Sequence, residues 1–195
     1  TLFDTSSDVK ARLRRDINDC WKDIYHILGQ GKTNYLPDDE FLDAHLHLYF
    51  CNQINDIWRA YRQREALYFG SNVALYNYLL EDFFVASKIP EGFLCTNDII
   101  EYIDSLSECI KIWFVINNPE KSGHTTEVVE YIRKINYLLS PKRPGPVRII
   151  GGLRVDLHKV LLLACLQKCT DELTLLKLLK SFEKFLFIVS FIPAE

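Results

Sequence analysis

The sequence contains no methionine at all, and it begins Thr1-Leu2-Phe3. Because a complete reading frame starts with methionine, we expect a processed or trimmed piece of a longer protein. No apolar run reaches the length of about 18–20 residues that a membrane-spanning helix needs. No signal-peptide pattern opens the chain either. These absences predict a cytoplasmic protein that makes no contact with a membrane.

An excess of charge of one sign is also missing, since the formal net charge is −3. A chain with this charge has no global field that would draw it to DNA, RNA or anionic lipid. Any contact with a nucleic acid must therefore come from a local cluster of basic residues.

The cysteines lack the spacing of a metal knuckle or a disulfide scaffold. None of them forms a CxxC pair, and most fall inside helical patterns. We expect reduced thiols that act as small apolar side chains. The six residues are Cys20, Cys51, Cys95, Cys109, Cys165 and Cys169.

Motifs that would indicate catalysis are absent as well. The chain has no GxSxG, no HExxH, no HNH-type arrangement of metal ligands and no glycine-rich dinucleotide loop after a strand. Nothing in these residues predicts a reaction or a cofactor, so we expect a segment that is non-catalytic by itself and binds no cofactor.

What the sequence does contain is helical periodicity over most of its 195 residues. Apolar spacing predicts helices over about 9–28, 37–52 with a continuation over 54–64, 73–84, 96–116, 125–139, 155–168 and 172–192. We therefore expect an all-α fold, an irregular bundle of about seven helices in one domain over 1–195. A Pro/Gly-rich loop over 140–152 interrupts it. We expect the helices over 37–52, 155–168 and 172–192 to be central. The second of them is apolar nearly all round, which is typical of a buried helix.

The helix that follows Pro37 carries acids and two histidines that could suggest a metal site. Its first turn is acidic, which the positive end of the helix dipole favours without any metal. His45 and His47 are two residues apart and should point about 200° apart on a helix. We therefore expect His45 to be a hydrogen-bonded core residue rather than a ligand.

A second candidate metal site is the line of His158, Cys165 and Cys169. Offsets of seven and eleven residues place all three within about 20° of one line on a helix. Histidine and cysteine are proper zinc ligands, but the spacing is not that of a structural zinc knuckle, and a fourth ligand is missing. We therefore expect no metal, with these three residues as the weak candidates.

The best candidate for a phosphate contact lies in the Pro/Gly-rich segment. Four cations occur there with no acid between Ser140 and Val155, and the neighbouring glycines would let a backbone approach closely. No GK[ST] follows, so the segment is not a Walker loop. The alternative is an ordinary solvated basic loop. The four cations are Lys142, Arg143, Arg148 and Arg154.

Two stretches together resemble a known family. Residues 17–25 read INDCWKDIY, and residues 38–50 read DDEFLDAHLHLYF. This pair resembles the pattern IN-x-x-W-K-x-I … D-x-x-FL-x-x-HW-x-x-YF in the helical region of GmrSD-type modification-dependent restriction proteins, over about residues 8–90. Leu46 stands where the family often has tryptophan. The matching residues are Trp21, Phe41, Leu42, His45 and Tyr49.

The resemblance implies a role in bacterial defence against modified phage DNA. Family members join a ParB/sulfiredoxin-like nucleotide-hydrolysing domain to a helical extension and often to an HNH nuclease domain. The family's Asp-Gly-Gln-Gln-Arg motif and its nuclease motif are absent here, so the resemblance implies the helical module alone. The leading hypothesis is a scaffold for catalytic domains of the same protein that also contacts DNA through the loop from Lys142 to Arg154. The alternative is a protein-interaction or dimerisation module without DNA binding.

Overall fold

The structure is a computed structural model, and it describes residues 7–30, 38–64, 75, 77–88, 95–138 and 157–189. Every regular element in these residues is helical, so the prediction of an all-α fold is confirmed. No helix among them is both long enough and apolar enough to cross a membrane. The tertiary contacts divide the chain into two compact units, Thr1–Ile110 and Lys111–Glu195. The expectation of a single domain over 1–195 stays a prediction, because a division of the contacts into two units does not show whether the units fold separately or as one domain.

Seven α-helices follow one another in the described residues, in agreement with the number expected. A π-helical turn over Tyr78–Phe83 and 3-10 turns over Ala86–Lys88 and Pro119–Lys121 lie between them. In chain order the helices are α1 (Ser7–Gly29), α2 (Asp38–Tyr49), α3 (Ile54–Arg64), α4 (Thr96–Asn117), α5 (Thr126–Leu138), α6 (Leu157–Lys168) and α7 (Glu172–Val189).

The core of the first unit forms around α2. This helix buries Phe41, Ala44, His45 and Leu46, and Phe50 directly after it is buried too. The α2 histidine at position 45 connects to α4, since its Nε2 lies 3.0 Å from the hydroxyl of Ser105. Helix α2 is therefore largely buried within the unit, and its predicted central position in a single bundle stays a prediction.

Aromatic rings fill the space beside the end of α2. Tyr49 packs edge-on against Tyr102 of α4 at 5.0 Å between ring centroids. Phe50 packs in the same way against Phe83 of the π-helical turn at 5.2 Å. Edge-to-face pairs of this kind add about 0.5–1.5 kcal/mol each beyond the area that they bury. The aromatic side chains beside the end of α2 thus pack in the core of the first unit.

Helix α1 buries a narrower stripe than its periodicity suggests. Cys20, Ile24 and Leu28 recur every four residues and are buried. Trp21 and Tyr25 form the next row around the helix and remain exposed, although the spacing places Trp21 among the apolar residues. The pattern alone does not show which of two adjacent rows faces the core.

Candidate interaction surface

The second unit is held together mainly by the packing of α5 against α7. Helix α5 buries one face, formed by Val128, Ile132, Ile135 and Leu138. Helix α7 buries Leu175, Leu179 and Leu186, a stripe with the spacing of a helix that packs on a neighbour. Full burial of such side chains contributes about 1.5–3 kcal/mol each.

The starts of α5 and α7 are fixed to each other by Glu172. Its Oε1 accepts a hydrogen bond from the backbone N–H of Thr125, at 3.0 Å, and lies 3.3 Å from His124 Nδ1. The carboxylate therefore satisfies a free N–H at the beginning of α5, where the helix dipole also favours negative charge. The two helices run parallel from this point, and Lys180 of α7 sits over the ring of Tyr131 of α5 at 5.5 Å.

Asp171 begins α7 as its N-cap. Its Oδ2 accepts hydrogen bonds from the backbone N–H of Thr174 at 2.8 Å and from the Thr174 hydroxyl at 2.6 Å. These hydrogen bonds stabilise the ionised form and hold the pKa of Asp171 below its usual value. Asp171 thus satisfies a backbone N–H group in the first turn of α7.

A second apolar stripe on α7 is exposed. Leu178, Phe185 and Ile188 have exposed fractions of 43%, 48% and 52%. With Thr174 and Ser181 they recur at intervals of four, three, four and three residues, which is the spacing of a helix–helix seam. We call these five residues the α7 seam. At 100° per residue, its centre lies about 120° around the helix from the buried stripe.

Lysines border the α7 seam on one edge. Lys177 and Lys184 are exposed and each precedes an apolar seam residue by one position. Among the described residues, neither ammonium group lies within 4.0 Å of a carboxylate. Lys177 acts on Asp171 only through longer-range attraction. The edge of the seam is therefore positively charged.

The apolar residues of this surface are visible in the sequence, although helical periodicity alone does not separate them from the buried stripe of α7. Apolar residues of α7 extend well beyond the buried stripe, and Leu173 and Phe187 are exposed in addition to the apolar members of the seam. A helix that packs on one neighbour needs a single stripe of about 100°. Helix α7 packs on α5 and also contacts α6, and the apolar seam residues remain exposed beside both neighbours.

The two histidines of α2 diverge as helical geometry predicts. His45 is completely buried, and burial lowers its pKa to about 3. His47 Nδ1 lies 2.8 Å from the carbonyl oxygen of Asp43, one turn earlier, and its ring packs near that of Trp58. The two imidazoles have separate partners, and His45 is the hydrogen-bonded core histidine that the sequence predicts.

The remaining candidate residues are placed only in part. The four cations Lys142, Arg143, Arg148 and Arg154 lie outside the described residues. The backbone of His158 belongs to α6, but its side chain lies outside the described set. Cys165 is half-buried, and burial and the nearby Cys169 raise its pKa. The described residues contain no group of three or more His, Cys, Asp or Glu side chains that could hold a metal ion.

The cysteines are all free thiols. Cys20 of α1 is the most constrained of them, because its sulfur accepts a hydrogen bond from the Ser107 hydroxyl at 3.1 Å and lies 3.7 Å from the carbonyl oxygen of Ile103. Burial raises the pKa of this thiol. A buried thiol with a raised pKa is a poor nucleophile, so Cys20 acts as a packing residue.

No protein-family model, no curated protein and no solved structure matches the chain. The resemblance to the helical region of GmrSD-type proteins therefore stays a prediction. The α7 seam is the feature on which a functional proposal can rest.

Proposed function

We propose that the chain is a non-catalytic helical module that binds another protein or protein domain through the α7 seam. The observation that supports this is the exposure of three large apolar side chains at seam spacing, on a helix whose buried stripe already packs within the second unit. Large apolar side chains exposed together on one face of a helix are characteristic of a binding site. In the GmrSD-like interpretation, the partners are the catalytic domains of the same parent protein, for which this module is the scaffold.

Protection of the α7 seam in native material tests this role even while the partner is unidentified. Ser181→Cys places a thiol at the centre of the seam with little change in volume, and Thr126→Cys on α5 is the matched exposed control. Each variant is treated with a thiol reagent, both as purified chain and in an extract of its native cells. Labelling is measured by peptide mass spectrometry.

We expect Cys at position 181 to be labelled at least about fivefold more slowly in the extract, because a bound partner excludes the reagent from a well-packed interface. The control thiol should be labelled at the same rate in both samples. Adding Phe185→Ser should restore labelling at position 181. Equal rates at position 181 in extract and purified chain would rule out an occupied seam.

A second role, contact with foreign DNA, is supported by the four cations between Ser140 and Val155 with no intervening acid. Basic side chains that neutralise phosphates make binding steeply dependent on salt. Changing Lys142, Arg143, Arg148 and Arg154 together to alanine should weaken DNA binding and flatten its salt dependence. Unchanged binding and an unchanged slope would remove this role. A cytoplasmic location is part of the same proposal, and the free cysteines support it.

A further inference from the structure

The polar members of the α7 seam have their hydroxyl groups satisfied within α7 and its cap. The Ser181 hydroxyl donates to the carbonyl oxygen of Lys177 at 2.9 Å. The Thr174 hydroxyl donates to Asp171 at 2.6 Å. Neither hydroxyl hydrogen needs a partner across the seam. A binding partner can therefore cover these positions with apolar groups without leaving a buried donor unpaired.

The alternating size of the seam residues favours a helix as the occupant. From Thr174 to Phe185 small and large side chains alternate along the seam, and Ile188 adds a second large side chain at its end. Knobs-into-holes packing uses this kind of alternation, because a side chain of the partner helix inserts between four side chains of the first.

The charge along the seam limits the chemistry of that helix. Lys177 and Lys184 occupy the positions that, in paired helices, face the flanking residues of the partner. The other edge of the seam adjoins Leu175 and Phe182, which carry no charge. A partner with carboxylates on the flank that meets the lysines would gain attraction, and a partner with cations there would be repelled.

We propose that the occupant of the α7 seam is an acidic amphipathic helix, with apolar residues at intervals of three and four and with Asp or Glu opposite Lys177 and Lys184. This inference rests on the proposed function and names its partner class. A second copy of the chain fits less well. Antiparallel pairing would place the lysine edges against each other, and parallel pairing would place lysines against Leu175 and Phe182, with no opposite charge.

Designed peptides test the inference with the full 195-residue chain. Two peptides of about three heptads share the same leucine seam, and one carries glutamate at the flanking positions where the other carries lysine. Dissociation constants are measured by fluorescence anisotropy at low and high salt. The acidic peptide should bind roughly tenfold more tightly at low salt, and the difference should shrink as salt screens the charges.

Charge reversal on the chain distinguishes pairing with these lysines from general attraction. The double variant Lys177→Glu/Lys184→Glu should reverse the preference between the two peptides. The matched control, Lys111→Glu/Lys168→Glu, changes two exposed lysines outside the seam and should leave the preference as it is. Phe185→Ser or Leu178→Ser should weaken both peptides at least about tenfold, with circular dichroism confirming that each variant is folded.

The outcomes separate this inference from the proposed function. Equal binding of both peptides, or a preference that charge reversal leaves unchanged, would overturn the acidic helix. Light scattering could also overturn it. If the mass of wild type rises with concentration and that of Phe185→Ser does not, the occupant of the seam is a second copy of the chain. If only the peptide preference fails, protection of Cys at position 181 in native extract would still support a protein partner at the seam. A second copy would instead protect this thiol in the purified chain as well.

Discussion

Replacing the buried histidine of α2 should change how the stability of the protein depends on pH. His45 is completely buried and has its Nε2 at 3.0 Å from the Ser105 hydroxyl. Its Nδ1 has no hydrogen-bond partner among the described residues. A proton on this ring would place a charge among the rings of Phe41, Tyr49 and Tyr102, and His45 forms no ion pair with an acid among the described residues. The native state therefore keeps the imidazole neutral.

The size of the effect follows from the pKa in each state. Burial lowers the pKa of His45 from 6.5 in the unfolded chain to about 3 in the native protein. Between these values the unfolded state binds the extra proton and the native state does not, so stability falls as pH falls. The slope approaches about 1.4 kcal/mol per pH unit, and the loss between pH about 7.5 and about 5 is about 2 kcal/mol.

Urea unfolding of wild type and His45→Gln at several pH values measures this contribution. Glutamine does not titrate, so other ionisable groups cancel in the difference between the two curves. The substitution itself will destabilise the protein at neutral pH, but the difference should narrow by about 2 kcal/mol towards pH about 5. A difference that stays constant with pH would show that His45 is protonated or accessible in the native state, and would refute the buried neutral imidazole.

Three further predictions follow from the second unit and the cysteines. Leu179→Ala should lower the free energy of unfolding by about 2–5 kcal/mol, and the seam variant Leu178→Ala should lower it by less than about 1 kcal/mol. Equal losses in urea unfolding would contradict the assignment of Leu179 to the buried stripe and of Leu178 to the exposed seam. The pKa of Asp171 is lowered in the folded protein, so its stabilising effect should be present above the pKa of the unfolded chain and lost as pH falls through the pKa of the folded protein. The melting temperature of Asp171→Asn should therefore depend less on acid pH than that of wild type. Parallel pH profiles of the two melting temperatures would count against the cap. A thiol reagent should modify the exposed Cys51 quickly and the buried Cys20 only at the rate of unfolding, and comparable rates under native conditions would disprove the packing role of Cys20.

Local features of this fold could be predicted from the sequence because neighbouring residues determine them. The Asp171 cap depends on a side chain and an N–H group three residues later. The divergence of His45 and His47 depends only on the turn of a helix. Both belong to one segment of chain, so the sequence contains what is needed to predict them.

Features that depend on distant contacts could not be predicted in the same way. The sequence shows that α7 has more apolar residues than one stripe needs, but the contact with α5 decides that Leu179 is buried and that Leu178 is not. The same holds for α1, where Cys20 meets Ser107 and Trp21 stays exposed. Helix α6 shows it again, because Leu161 is half-exposed although its helix is apolar nearly all round.

Thiol labelling of Ser181→Cys in native extract tests the central claim about the α7 seam most directly. We expect labelling at least about fivefold slower in the extract than in the purified chain, with full reactivity restored by Phe185→Ser and no change at the Thr126→Cys control. Equal labelling of Cys at position 181 in both samples would contradict a binding role for this surface.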